Sequence, residues 1–172
     1  MQEKINNIVL IGPMGSGKTT VGRRLAEVLQ NDFYDIDHEV IKKTGVSIDH
    51  IFDIEGEEGF RKRESSILKD LCIKPNIVLS TGGGAVLLEE NRKMIKKMGL
   101  VIYLSSSVDQ ILRRTSKSKT RPLLENSPNR RKTISDIIES RGPLYREVAS
   151  IIINTNGKKL NEVIKEIRSH LS

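Results

Sequence analysis

Cysteine occurs once, at Cys72, so there is no disulfide framework and no cysteine-built zinc site. Tryptophan is missing and aromatic residues make up only 3% of the chain, too few for a platform on which unpaired bases stack. No apolar run approaches the ~20 residues of a membrane-spanning helix. The three histidines, His38, His50 and His170, are far apart in sequence. Residues 1–5 lead directly into an apolar stretch and leave no room for a signal peptide, so the expectation is a cytoplasmic chain that meets no membrane. No low-complexity tract suggests disorder, and 172 residues suffice for one domain with a buried sheet. No apolar strip calls for a second copy, and a monomer is expected.

The chain carries a net charge of +7, unevenly spread. Between Ile111 and Val148 ten Lys and Arg residues face four acids. Three readings fit: a nucleic-acid surface, a solvated helix face, or a segment that closes over an anionic nucleotide and an anionic substrate. The scarcity of aromatics counts against the first, and no nucleic-acid partner is expected. The polar stretch 116–126 has the length and composition of a functional lid rather than a passive connection.

Strand and helix patterns alternate throughout, which argues for a parallel sheet covered on both faces. Strands are expected at 7–11, 33–36, 77–80, 100–104 and 150–154. Helices are expected at 18–30, 39–44, 47–54, 57–72, 90–98, 107–115, 130–148 and 160–171, with Ser47 as an N-cap and Pro143 breaking or kinking its helix. In the first helix, Val21, Leu25, Val28 and Leu29 form the buried face.

Directly behind the apolar run Ile8-Val9-Leu10-Ile11 stands Gly12-Pro13-Met14-Gly15-Ser16-Gly17-Lys18-Thr19, the G-x-x-x-x-G-K-[ST] spacing of a phosphate-binding loop. Its glycines let the backbone curl with N–H groups inward, and a helix begins at Lys18, so donors and helix N-terminus both face a phosphate. Lys18 is then positioned for the β- and γ-phosphates of a nucleotide, and the Thr19 hydroxyl for Mg²⁺.

Asp35 and Asp37 leave the C-terminal end of the second strand, where open α/β sheets place ligands. Such carboxylates can hold Mg²⁺ or take a proton from an attacking hydroxyl, and Asp37 is equally suited to cap the next helix. In Phe60-Arg61-Lys62-Arg63-Glu64 either arginine could grip a carboxylate through two parallel hydrogen bonds, or pair with Glu64, or face water. Thr81-Gly82-Gly83-Gly84 forms a second strand end that a ligand can approach closely. Ser80 stands where a strand-end aspartate commonly holds Mg²⁺, so Asp35 or water must help.

The phosphate loop, Asp35-x-Asp37, Phe60-Arg61, Thr81-Gly82-Gly83-Gly84, Arg121-Pro122-Leu123-Leu124 and Arg141-x-Pro-Leu-Tyr145 occur in this order. Together with Thr20 behind the loop, the set resembles the shikimate kinase family across essentially the whole chain. The resemblance implies a single α/β domain over residues 1–172, a three-layer P-loop kinase fold. Its five-stranded parallel sheet has strand order 2-3-1-4-5 with helices on both faces, a substrate-holding helical segment at about 37–72 and a lid at about 116–126. It implies transfer of the ATP γ-phosphate to the 3-hydroxyl of shikimate. Asp37, Arg61, Gly82, Gly83 and Arg141 would bind shikimate, with the two arginines on its carboxylate and Asp37 as hydroxyl acceptor and base. Gly15, Ser16, Gly17, Lys18, Thr19, Thr20, Arg114, Arg121 and Asn156 would surround ATP, with Arg121 reaching its phosphates from the lid. Lys18, Asp37 and Arg121 would be the catalytic set, and Thr19 with Asp35 would hold Mg²⁺.

Overall fold

The computed structural model describes residues 6–116, Leu124 and residues 127–171. Its five strands are β1 (Asn7–Ile11), β2 (Asp32–Asp35), β3 (Ile77–Ser80), β4 (Gly99–Ser105) and β5 (Ile151–Asn154). They pair in parallel in the order β2-β3-β1-β4-β5. Among the described residues the helices are α1 (Lys18–Leu29), α2 (Ile36–Thr44), α3 (Ile48–Leu71), α4 (Glu89–Met98), α5 (Val108–Thr115), α6 (Arg130–Val148) and α7 (Leu160–Leu171), with a short 3₁₀ turn at Ala85–Leu87.

The central strands bury both faces, which explains their unbroken apolar runs. Val9, Ile11, Leu79, Val101 and Tyr103 point into a core layer closed by α2, α3, α4 and α6. Ile8, Leu10, Val78, Ile102 and Leu104 point the other way, against Val21, Leu25 and Ala26 of α1 and Val163, Ile164 and Ile167 of α7. Each such aliphatic side chain contributes about 1.5–3 kcal/mol by leaving water, so β1 and β3, both wholly buried, are firmly held. Ile111, Leu124 and Ile134 make a small separate cluster beneath α5 and α6.

Local chemistry set several boundaries differently from expectation. The second strand stops at Asp35, one residue early, because the Asp35 side chain accepts the His38 N–H and caps α2. Helix α2 therefore begins at Ile36, and Asp37 lies in its first turn rather than at its cap. The two helices expected on either side of residues 55–56 are contiguous in α3 but separated by non-helical Gly56, at φ 71°. Ser47 caps α3 as expected, accepting from His50 N–H. Helix α6 continues through Pro143 to Val148. The carbonyl that proline leaves without its helical partner belongs to exposed Glu139, where water can reach it. In α1, Val28 and Leu29 are only partly buried, and Gln30 is a left-handed cap beyond the helix.

Candidate active site

The loop from Gly12 to Gly17 joins the tip of β1 to α1. Gly12, Gly15 and Gly17 have φ of +148°, +74° and +94°, which side-chain-bearing residues rarely adopt. A β-carbon on Gly12 would also lie 2.5 Å from the Leu104 carbonyl oxygen. Gly17 caps α1 without a side chain, so no hydroxyl or carboxylate competes with an anion for the helix's first N–H groups. Lys18 Nζ donates to the carbonyls of Gly12 at 2.7 Å and Pro13 at 2.9 Å, so the ammonium lies over the loop. Ser16 is buried, and its hydroxyl has no hydrogen-bond partner among the described residues. From α5, Arg114 Nη1 donates to Gly15 O at 3.1 Å; desolvation and then neighbouring Arg113 weaken its hold on its proton.

Thr19 Oγ1 donates to Asp35 Oδ2 at 2.7 Å, while Asp35 Oδ1 takes the His38 N–H. Strand register sets Asp35 beside Ser80, and Ser80 beside Leu10 of β1, so these groups share the C-terminal edge of the sheet. A hydroxyl and a carboxylate in contact are hard oxygen donors of the kind Mg²⁺ accepts. No cluster of three or more His, Cys, Asp or Glu suited to a metal occurs among the described residues. The donor set thus fits a cation completed by phosphate oxygens and water, the usual manner of Mg²⁺.

At the other end, three glycines make room for charged side chains. A β-carbon on Gly82 would stand 2.6 Å from Glu64 Oε2 and 3.3 Å from Asp37 Oδ1, and one on Gly84 would collide with the Arg61 guanidinium. One on Gly83 would meet Met14 N of the phosphate loop at 3.3 Å and Arg141 Nη1 at 3.6 Å. Arg61 donates to Glu64 at 2.9 Å and to Glu57 at 3.2 Å. The side chain of Glu64 is 0% exposed, and Arg61 Nε and Glu64 Oε2 are buried with no hydrogen-bond partner among the described residues. Burial pushes the Glu64 carboxyl above its usual range; the Arg61 guanidinium opposes this most strongly, Asp37 adds to it, and Arg141 opposes it more weakly. Arg63 instead faces solvent and makes a two-pronged ion pair with Glu55, at 2.7 and 3.0 Å. That exposed pair holds the Glu55 carboxyl low and the Arg63 guanidinium high.

A cleft of about 450 Å³ connects the two ends, its wall running from Thr155 and Lys158 past the phosphate loop, Thr20 included, to Asp37, Gly82 and Gly83. Arg61 and Arg141 are buried on the side of the glycine strip toward which Gly83 and Gly84 would project side chains. Asn156 is exposed, and its side chain accepts the Ser107 N–H at 2.9 Å, while its neighbour Thr155 lines the cleft. Arg121, with the 116–126 segment apart from Ser116 and Leu124, lies outside the described residues. Lys158 was not anticipated; the pairing of an arginine with Glu64 was among the expectations and is met by Arg61, though Glu64 was not named as a member of the site. Glu64 was legible, since Arg61, Glu64, Leu68 and Leu71 repeat at helical spacing on the inward stripe of α3, whereas Lys158 has no sequence signal.

The family model for shikimate kinase matches residues 14–172. The chain belongs to the shikimate kinase family. A curated shikimate kinase from Thioalkalivibrio sulfidiphilus is 49% identical over 94% of this chain and 85% of its own length. One from Histophilus somni is 47% identical over 97% of this chain and 95% of its own. A solved shikimate kinase from Acinetobacter baumannii, in complex with shikimate, superposes with a TM-score of 0.94 at 46% identity, covering 98% of this chain and 94% of that one. Membership makes the chain a kinase of the α/β P-loop class, and the sheet order matches the order that the sequence resemblance implied.

Proposed function

We propose that the chain transfers the γ-phosphoryl group of ATP to the 3-hydroxyl of shikimate, giving ADP and shikimate 3-phosphate on the route to chorismate and the aromatic amino acids. One observation carries this reading at the level of geometry: the Gly83 backbone lies between a phosphate cradle and a buried guanidinium, with Met14 N 3.3 Å and Arg141 Nη1 3.6 Å from the same β-carbon position. A small ring bearing a carboxylate and several hydroxyls suits that span, its acid on Arg61 and Arg141 and its alcohols toward Asp37. Phosphoryl transfer depends chiefly on such positioning and on charge stabilisation.

In this reading Lys18 leaves the carbonyls of Gly12 and Pro13 for the β- and γ-phosphate oxygens. Gly15, Ser16, Gly17 and Thr20 cradle the phosphates, while Arg114, with Asn156 beyond it, borders the nucleoside. Thr19 and Asp35 are the residues that would hold Mg²⁺, which when bound neutralises charge on the phosphates. Asp37 accepts the proton of the attacking hydroxyl as its oxygen bonds to phosphorus and the bond to the β-phosphate oxygen breaks. Glu64 and Glu57 aim Arg61, while Gly82 and Gly83 let the ring approach closely. Arg121 adds positive charge from a lid at about 116–126, and closure excludes water that would otherwise hydrolyse ATP.

The substrate-holding segment is about 37–72, within one domain spanning 1–172. The chain is proposed to act as a monomer in the cytoplasm; a lone unpaired Cys72 supports the compartment, and no described helix is long and apolar enough to cross a membrane. The test is a coupled assay of ADP release with shikimate, without it, and with other hydroxy acids such as gluconate. ADP release that requires shikimate is expected; equal release without it, or preference for another acid, overturns the assignment.

A further inference from the structure

Tyr145 belongs to neither end of the cleft yet touches both the glycine strip and an arginine. It lies one turn after Arg141 in α6, is 0% exposed, and stacks on Tyr103 with ring centroids 5.0 Å apart. Its hydroxyl donates to the Gly83 carbonyl at 2.6 Å. Gly83 is the residue whose β-carbon position faces Met14 N on one side and Arg141 Nη1 on the other. The rest of the strip is tied down as well: Thr81 Oγ1 donates to Leu10 O at 2.8 Å, and Asn91 of α4 holds the Ala85 carbonyl at 3.0 Å. Between these two anchors the Tyr145 hydroxyl is the side-chain donor that fixes the middle, from the same helix that supplies Arg141. Burial raises its hydroxyl far above the ordinary tyrosine range, with Arg141 opposing, so it stays a neutral donor at any working pH.

We propose that Tyr145 is a positioning residue for the acid-binding end: by holding the Gly83 carbonyl from the turn after Arg141, it sets the separation between the carboxylate clamp and the phosphate loop. It touches no reacting atom. The role rests on the shikimate reading given above. It acts on where the acceptor sits, not on nucleotide affinity, because the loop's own contacts, Lys18 to Gly12 and Pro13 and Arg114 to Gly15, do not involve it.

The test is Tyr145→Phe, which keeps the ring packing and removes one hydroxyl, leaving a buried carbonyl unsatisfied. On the scale of such a loss, KM for shikimate should rise about tenfold, with KM for ATP within about twofold of wild type. The control is Tyr103→Phe, whose hydroxyl is not the one on Gly83; it should leave both constants unchanged. Unchanged KM for shikimate in Tyr145→Phe, or equal increases for both substrates, overturns the proposal. A wild-type enzyme that ignores shikimate would instead overturn the shikimate reading, so the two failures are distinct. A second readout does not depend on turnover. The chain has no tryptophan, and in the Tyr34→Phe, Tyr103→Phe double variant Tyr145 is the remaining tyrosine. Its ultraviolet difference spectrum near 280 nm should change on adding shikimate but not on adding pyrophosphate, which is transparent there and fills the phosphate loop; the reverse, or no change with shikimate, also overturns the proposal.

Discussion

The two ends of the cleft are built from different materials. The phosphate end is main chain: three glycines at positive φ, a helix start without a side-chain cap, and one lysine laid across two carbonyls. The end proposed for the acid is side chain: Arg61, Glu64 and Arg141 are buried beside a strip of glycines that make room for them. Backbone donors read any phosphate and stay in place, whereas a network of buried charges is specific to its ligand and sensitive to every member. In the proposed function, general chemistry and substrate identity are thereby assigned to separate materials.

Lys18→Met should break this division most completely. Turnover should nearly vanish while the thermal transition stays close to wild type, because the loop the lysine lies across has its shape set by glycines. A folded variant with wild-type turnover would remove the phosphate loop from the mechanism. Asp37→Asn comes next, with a loss of about 10²–10⁴ in kcat if the carboxylate takes the hydroxyl proton. A loss confined to KM for shikimate would make it a positioning group instead. Arg141→Ala and Arg61→Ala should act mainly on shikimate affinity, since a buried carboxylate then loses a charged partner. Arg61→Ala should also lower Tm, because it strips buried Glu64 of its guanidinium. Unchanged shikimate affinity in both variants would refute the clamp.

Glu64 gives a subtler separation, in pH. Its carboxyl is raised above the ordinary 4.5 by burial, so the folded protein holds a proton that the unfolded chain releases. The stability it contributes is fully present below about pH 4.5 and is lost as pH rises through the higher folded value. The Tm of Glu64→Gln relative to wild type should therefore improve from acid toward neutral pH. A relative Tm that worsens over that range would mean that attraction to Arg61 outweighs burial. Arg63→Ala should have the smallest effect. It removes an exposed pair with Glu55 and should leave Tm and both KM values near wild type, in contrast with Arg61 two residues away.

The same contrast governs what could be read from the chain alone. A main-chain site announces itself, because glycines, a lysine and a hydroxyl must fall at fixed spacing behind an apolar strand; the loop, β1 and β3 were legible to the residue. A side-chain site needs to know which helix face turns inward. Arg61 and Arg63 are equivalent by composition, and the packing of Phe60, Ile67 and Leu68 against the sheet decides between them. The end of β2 was misread for a related reason: Ile36 extends the apolar run, but the Asp35 cap turns the chain into a helix one residue sooner. Tyr145 looked like part of a motif, yet its hydroxyl's partner is a carbonyl 62 residues earlier, and local periodicity carries no trace of that.

β1 is gripped from two directions, with Val9 and Ile11 in one apolar layer and Ile8 and Leu10 in the other. A strand clamped in this way is a rail that cannot slide by one residue without exchanging every side chain between layers. The curl at its tip inherits that immobility, as does its alignment with Ser80 and Tyr103 on the flanking rails. Accuracy of phosphate handling is thus laid down in the oily middle of the molecule, and whatever loosens that middle blunts the chemistry at its rim.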